Sequence, residues 1–557
     1  MSEVEFTTYE GEYGQRLGLH FGYDERLVDA MRELREDEHW QVTHCKPVYE
    51  DDDFDHWAVD LDEESIDRLE SVAGIAVPDS VVPWQRGGDE VVLRVPEGRT
   101  RFFVEGGGDE VDSVLDMMLS YDNPDAKHSM AADPVIRIYN RSSRSAPMGL
   151  ARKAAASLRG MGHEVSVEVE GDRSGPGISG EIDWSFPHTL RDYQRSAVQA
   201  VLDEGGGIVS LPTGAGKTIV ALGCIRAIGQ RAVVFVHTKE LLRQWADEIR
   251  RTLDLEPGVI GDGEWSTGPV TVATMQTLLS RGTDGLGDLG VAIFDECHRT
   301  GAADTMHDLG LRIDPAYRIG LSATPWRRIS GAEMKIEGAV GGVVSEVSAE
   351  ELIDEGFLTE PRFEKLGHDG PTAARDEEYH EAYRRCVEES TARNSAVAAR
   401  AAELADDGYR VLVNVDRVSQ GGELAELADA RGVDSWFLSG SDPTEVRDEV
   451  LSAFAGSDGS VLVSTLIKEG VDVPELDAVI LAHAGKSDIS VLQVVGRAMR
   501  PDADKDHCVV VDVADTGRFF GAAHRDRWDT MADYYGSYGP GGEDGLASDP
   551  PTLDDVR

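Results

Sequence analysis

The sequence predicts an α/β protein: two tandem lobes built on parallel sheets, preceded by small α/β N-terminal modules. Three observations predict it. From Thr189 to about Asp515, short apolar runs alternate with amphipathic stretches of helical period, the pattern of parallel strands covered by helices. The pattern restarts after about Gly356, which gives two lobes of roughly 150 residues each. Four strings, LPTGAGKT, FDECH, LSATP and QVVGRAMRP, stand in that order, each at the end of an apolar run.

Taken in order, residues 1–75 read as a small module. Strands are expected at Leu17–Gly22 and His56–Leu61, each followed by a helix, Arg26–Arg35 and Glu63–Val72. Residues 76–180 read as a second module. Its strands are Val91–Val95, Val135–Tyr139 and Glu164–Val169, and its helices Val111–Leu119 and Gly149–Arg159. The first lobe, 181–353, has strands at Ile208–Leu211, Ala232–His237, Val270–Met275, Val291–Glu296 and Arg318–Thr324, with helices at Ile219–Ile228 and Lys239–Leu253. The second, 354–515, has strands at Val411–Val415, Trp436–Ser439, Ser460–Thr465, Ala478–Leu481 and Cys508–Val513. Residues 516–557 end rich in Gly, Pro and Asp and read as an acidic, disordered tail. The string GGDEV occurs at Gly87–Val91 and Gly107–Val111. A glycine turn before a strand or helix accounts for both copies.

Composition narrows the class. No apolar run is long enough to cross a bilayer, and the N-terminus has neither basic start nor apolar core, so a cytoplasmic protein without membrane contact is expected. The five cysteines are scattered, with no pair at metal-ligand spacing. That argues against structural zinc and against a four-cysteine cluster. The net charge is −50, from 104 acidic and 54 basic residues spread along the chain. Bulk acidity repels nucleic acid at ordinary salt. In molar salt the Debye length falls to about 3 Å and local contacts decide binding. A halophilic setting reconciles the acidity with the motifs; an acidic binding protein of ordinary salt is the alternative.

The chemistry follows motif by motif. LPTGAGKT lies between a strand and a helix, the context that a phosphate loop needs. Gly214 and Gly216 let backbone N–H groups close on phosphates, with Pro212, Thr213 and Ala215 completing the loop. Lys217 brings a point charge to the β/γ-phosphates and Thr218 a hydroxyl to Mg²⁺. In FDECH, Asp295 is the expected Mg²⁺ ligand and Glu296 the group that activates the attacking water. His298 is expected to couple this site to the other elements. A solvated acidic turn is the plain alternative. Ser322, Ala323 and Thr324 can relay the phosphate state to Asp295, or simply cap a helix before Pro325. In LRDYQ, Gln194 has an amide suited to the adenine edge, and Arg191 or Tyr193 can stack on the base. An ordinary helix start capped by Thr189 is the alternative. In STLIKEGVDVP, Thr465 can touch a nucleic-acid phosphate while Gly470 and Asp472 line the cleft. QVVGRAMRP sets Gln493, Arg497 and Arg500 on one helix face. Both arginines are candidate fingers for a transferring phosphoryl group.

One stretch stands out against the composition. Between Asp133 and Glu164 there is no acidic residue, and the gap holds Arg137, Arg141, Arg144, Arg152, Lys153 and Arg159. Arg141, Arg144, Arg152 and Lys153 are candidate contacts to the DNA backbone. The alternative is a basic face packed against acidic surface of the first lobe.

With these residues in view, Thr189–Asp515 resembles the superfamily 2 DNA helicases of the xeroderma pigmentosum group B type, which include archaeal relatives and the phage recombination helicase UvsW. The strings that carry the resemblance are LRDYQ, LPTGAGKT, HTKELLRQW, TMQTL, DECH, SATP, EGVDVP and QVVGRAMRP. The Arg-Glu-Asp element of close group B relatives is absent; PWRRIS (Pro325–Ser330) stands there. Leu17–Gly74, with Trp40 and Trp57, faintly resembles the small annealing-helicase module that binds branched DNA. The resemblance implies two RecA-like lobes, ATP and Mg²⁺ as cofactors, and 3′-to-5′ movement on DNA in repair or recombination. A halophilic archaeal source, a monomer and a nuclease or repair partner are further expectations. A duplex translocase that remodels forks without separating strands, and a sensor that binds ATP without turning it over, are the competing readings.

Overall fold

The computed structural model describes residues 5–11, 14–22, 43–44, 54–60, 90–96, 100–123, 133, 135–170, 188–297, 302–323, 332–374, 377–465, 476–485, 488–502 and 505–541. It forms two compact units. The first is Met1–Asp172 with Gly310–Asp314 and Ser330–Gly342; the second is Arg173–Leu309, Pro315–Ile329 and Val343–Arg557. No helix among the described residues is long and apolar enough to cross a membrane.

In the first unit, β1 (Glu5–Gly11), β2 (Gly14–Gly22), β3 (Thr43–His44) and β4 (Phe54–Asp60) form an antiparallel sheet in the order β1-β2-β4-β3. β1 is a strand that alternation alone did not mark. The helices expected at 26–35 and 63–72 lie outside the described residues. A second sheet has the order β10-β5-β6-β9, from Glu164–Val169, Glu90–Val95, Arg101–Glu105 and Ser145–Pro147, and β7 (Ser120–Asp122) pairs antiparallel with β8 (Val135–Arg137). Helices α1 (Gly108–Met118) and α2 (Ala151–Gly160) cover it. Val91, Leu93, Phe102, Leu115, Ala154 and Leu158 form its core, all fully buried. Gly149 lies flush against helix α3 (Ala332–Val340): a Cβ there would come within 2.0 Å of the Glu337 carbonyl.

The second unit holds both lobes, apart from 310–314 and 330–342 of the first. The first lobe's sheet runs β14-β13-β15-β12-β16-β17-β11-β18. All of its pairings are parallel except the hairpin of β13 (Gly258–Gly261) and β14 (Glu264–Trp265). Its central strands, β11 (Gly206–Ser210), β12 (Ala232–Val236), β15 (Val270–Thr274), β16 (Val291–Phe294) and β17 (Tyr317–Ser322), are almost wholly buried. That explains why they read as continuous apolar runs rather than alternating ones. β18 (Val343–Glu346) closes the edge beside β11.

The second lobe's sheet is parallel throughout, in the order β19-β24-β23-β20-β22-β21. Its strands are β19 (Glu360–Leu366), β20 (Arg410–Asn414), β21 (Ser435–Leu438), β22 (Ser460–Ser464), β23 (Ala478–Leu481) and β24 (His507–Val513).

The expectation of a structureless stretch from 516 onward is corrected. Phe520–Tyr535 is helix α4, and a short 3-10 turn follows at Gly536–Tyr538. Arg527 of this helix is fully buried and donates through Nε to Asp512 Oδ1 at 2.9 Å, while His524 Nδ1 lies 2.7 Å from Asp512 Oδ2. A charged side chain at the core position hid the helix from a reading by apolar period.

Candidate nucleotide site

The carboxyl ends of β11, β16 and β17 line up in register, Phe294 opposite Gly320 and Ser210 opposite Ser322. This is the edge at which α/β sheets bind ligands. The phosphate loop leaves β11 there, and Leu211 N still donates to Ser322 O at 2.9 Å. Gly214 and Gly216 take φ of 89° and 81°, which L side chains rarely adopt. A Cβ on Gly216 would stand 2.7 Å from Gln194 Nε2. The helix Lys217–Ile228 follows, so the first turn carries Lys217 and Thr218. Its N-terminal N–H groups face the loop, a ready anion site.

Gln194 is buried and engaged at both ends. Its Oε1 accepts from Arg191 N at 3.1 Å, and its Nε2 donates to Ala215 O at 3.0 Å. Tyr193 Oη donates to the same carbonyl at 2.7 Å. Arg191 lies over the Phe357 ring at 4.6 Å, and Tyr193 packs on that ring at 5.4 Å. These residues brace the loop from behind. Phe357 escaped the sequence reading, because nothing in a chain marks an aromatic partner that far away.

Lys217 Nζ donates to Leu211 O at 3.1 Å. Burial holds its pKa below the ordinary lysine value. The charges of Glu296 and Asp295 oppose that shift and the charge of Arg500 adds to it. Asp295 Oδ2 accepts from Trp245 Nε1 at 2.7 Å and Oδ1 from Glu296 N at 3.0 Å. Burial first, then the Glu296 charge, pushes the Asp295 carboxyl up to about 6, against the pull of Trp245 and Lys217. Glu296 itself has φ +49°. Trp245 is a site residue that no motif marks; a buried indole N–H needs an acceptor, and that is the signal it offers.

The second lobe meets this loop. Helix Asp488–Ala498 brings Gly496 so close that a Cβ there would stand 2.5 Å from Thr213 Cβ. A Cβ on Gly214 would lie 3.5 Å from Arg500 Cγ. The helix ends at Ala498, so Arg500 belongs to the turn beyond it rather than to the face shared by Gln493 and Arg497. That turn is tied to the interlobe linker: Thr359 N donates to Met499 O at 2.8 Å. Lys217, Asp295, Glu296 and Arg500 are thus brought together. Gln493 and Arg497 are half-buried on the same helix. Thr465 follows β22, its N–H bonded to Leu438 O at 3.2 Å. His298, Thr324, Gly470 and Asp472 lie outside the described residues.

The glycine cradle, the buried lysine and the carboxylate beside it fit a nucleotide polyphosphate. Asp295 and the Thr218 hydroxyl fit Mg²⁺, which takes few protein ligands and completes its shell with phosphates and water.

The basic stretch of the first unit is engaged internally. Arg144 Nε bonds Asp112 Oδ1 at 2.9 Å and its NH2 donates to Gly106 O at 2.7 Å. Arg141 NH2 donates to Ser113 Oγ at 2.8 Å. Lys153 Nζ pairs with Glu337 at 2.9 Å. Lys153 thus meets an acidic residue of 181–353, as the packing alternative expects, and Arg144 is engaged within its own module, while Arg141 and Arg152 are exposed.

Residues 187–327 match the family described as type III restriction enzyme, res subunit, and residues 396–502 match the helicase conserved C-terminal domain. The chain is 30% identical over 362 residues to Rad25 of Haloarcula marismortui, whose name assigns it as a candidate DNA 3'-5' helicase; the match covers 63% of this chain and 56% of that protein. It is 29% identical over 346 residues to the DNA 3'-5' translocase XPB2 of Sulfurisphaera tokodaii, over 56% of this chain and 78% of that one. The chain therefore spans little more than half the length of the Haloarcula protein. Among solved structures, the ATP-dependent type ISP restriction-modification enzyme LlaBIII bound to DNA is similar with a TM-score of 0.52 and 17% identity, over 67% of this chain and 32% of that one.

Proposed function

We propose, for a chain whose residues 187–327 and 396–502 are the paired domains of a superfamily 2 helicase, that the protein is an ATP-dependent DNA helicase of repair or recombination. The observation that carries this reading is the meeting of Lys217, Asp295 and Glu296 from one lobe with Arg500 from the other at a single phosphate loop.

In this reading the loop amides and Lys217 hold the phosphates. Asp295 and Thr218 would hold Mg²⁺, which would supply positive charge against the phosphates. Glu296 orients and deprotonates the attacking water, while Trp245 fixes Asp295 in place. Arg500, from the other lobe, stabilises charge on the transferred group only when the lobes close, which couples hydrolysis to movement. Gln194 is the adenine reader and would exchange its bond to Ala215 for the base edge. Gln493 and Arg497 support the same phosphates, Gly470 and Asp472 line the cleft, and Thr465, Arg141 and Arg152 contact the DNA backbone.

The test is ATP turnover at molar KCl with single-stranded, duplex and forked DNA, together with unwinding of a labelled fork. Stimulation by DNA and strand separation are expected, both lost in Lys217→Ala. Turnover persisting in that variant would remove the site assignment. The Sulfurisphaera protein is named a DNA 3'-5' translocase, and that name supports a second reading, movement along DNA without strand separation. DNA-stimulated turnover without strand separation would select it.

A further inference from the structure

We propose that an aromatic patch around Tyr379 in the second lobe stacks the bases of single-stranded DNA. This rests on the motor reading above and adds to it a surface that reads base faces rather than phosphates.

The patch is built from distant segments. The short helix Tyr379–Tyr383 sits in the connection between β19 and the helix Thr391–Asp406. The Tyr379 ring lies edge-on to Phe519 at 5.5 Å and meets Phe520 at 5.9 Å, Tyr383 at 6.0 Å and His380 at 5.8 Å. Tyr383 and Phe520 are buried and form the floor. Tyr379 is 41% exposed, one of few large apolar side chains among the described residues to be so, and Phe519 is half-buried beside it. A bridge between Ala373 and Gly517 draws the two segments together.

Two exposed arginines reach the rings, Arg518 over Phe519 at 4.8 Å and Arg417 over Tyr383 at 5.4 Å. Val418, next to Arg417, is 56% exposed. The other exposed aromatic among these side chains, Trp265, has the Arg281 guanidinium 5.8 Å from its ring centroid.

Position ties the patch to the motor's other proposed DNA contact. Tyr383 Oη donates to Asp416 Oδ2 at 3.3 Å, in the loop that follows β20. β20 ends at Asn414, paired with Ser464 of β22. Arg417 and Thr465 therefore leave neighbouring strands at the same carboxyl edge, where such sheets take their ligands.

The local charge separates bases from phosphates. Exposed Glu378 and Glu381 flank Tyr379, so this is no collector of phosphates. Base stacking carries no charge to screen or repel, and every base has a π-face. A chain of net charge −50 gains more from such contacts than from phosphate pairing, which weakens steeply with salt.

The test uses the full chain and the variant Tyr379→Leu, which keeps apolar cover over Phe520 and Tyr383 but has no stacking face. Fluorescence anisotropy at molar KCl compares a labelled oligodeoxythymidylate with an abasic oligonucleotide of equal length. We expect the variant to bind the thymidylate about tenfold more weakly and the abasic strand as wild type does, with Tyr379→Trp restoring affinity. Wild-type affinity of Tyr379→Leu for the thymidylate would overturn the proposal and point to a protein-docking surface. Equal loss on both strands would overturn it too, as damage to the fold. Thymidylate binding that depends on Tyr379, in a protein whose ATP turnover no DNA stimulates, would sink the motor reading and leave this one standing.

Discussion

Glu296 holds a left-handed backbone, φ +49°, beside a buried carboxylate. Two like charges and a strained backbone at one strand end are costs that cluster at functional sites. The Asp295 carboxyl, pushed up to about 6 from 3.8, keeps its proton longer folded than unfolded. Its contribution to stability is greatest below about pH 3.8 and is lost as the pH rises from there through about 6. Glu296→Gln removes the neighbouring charge. Calorimetry at pH 7 should show it more stable by about 1 kcal/mol, and ATP turnover should stop while Mg-ATP still binds. A less stable variant with normal turnover would contradict both halves. At low Mg²⁺, turnover in the wild type should fall as the pH drops through about 6. Added Mg²⁺ should move that midpoint down, since cation and proton compete for Asp295. A midpoint indifferent to Mg²⁺ would take Asp295 out of the metal site. Lys217, Asp295 and Glu296 were legible because their motifs are contiguous. Trp245 and Phe357 were not, because their partners are set by packing.

One helix joins the lobes and another anchors the second lobe's sheet. The helix Asp488–Ala498 approaches the phosphate loop through Gly496, and Gly496→Ala would place a methyl 2.5 Å from Thr213 Cβ. The helix must then retreat and take Arg500 with it. A fall in kcat of about 10²-fold is expected, with nucleotide affinity much less changed. Loss of affinity at constant kcat would mean that the approach serves binding alone. The helix Phe520–Tyr535 seats Arg527, 0% exposed, on Asp512, also 0% exposed. Arg527→Met leaves that carboxylate buried beside His524 only, at a cost of about 3–5 kcal/mol, readable by denaturant unfolding. A change under about 0.5 kcal/mol would place it among neutral surface substitutions. This helix shows where pattern reading fails. Phe520, Ala523, Arg527, Met531 and Tyr535 are its buried face, and an arginine within that face breaks the apolar signature.

Across the whole molecule, a net charge of −50 sets the conditions for stability. Repulsion among carboxylates destabilises the compact state at low ionic strength, and salt screens it. The unfolding temperature should therefore rise steadily from 0.1 M to molar KCl; a flat or falling curve would show the acidity to be thermodynamically idle.

The sequence by itself determined the α/β class, the two parallel-sheet lobes and the place of LPTGAGKT between a strand and a helix. Each of these is written in short-range periodicity or in a contiguous motif, which local sterics and burial translate directly into structure. Tertiary structure alone decided three things. Arg500 stands at Lys217's loop, Arg144 and Lys153 are engaged with Asp112 and Glu337, and Tyr379 gathers rings from the segment after β24. The reason is the same each time. Spacing along a chain specifies which way a side chain faces on its own element, whereas its partner lies on another element brought near by the burial of the core.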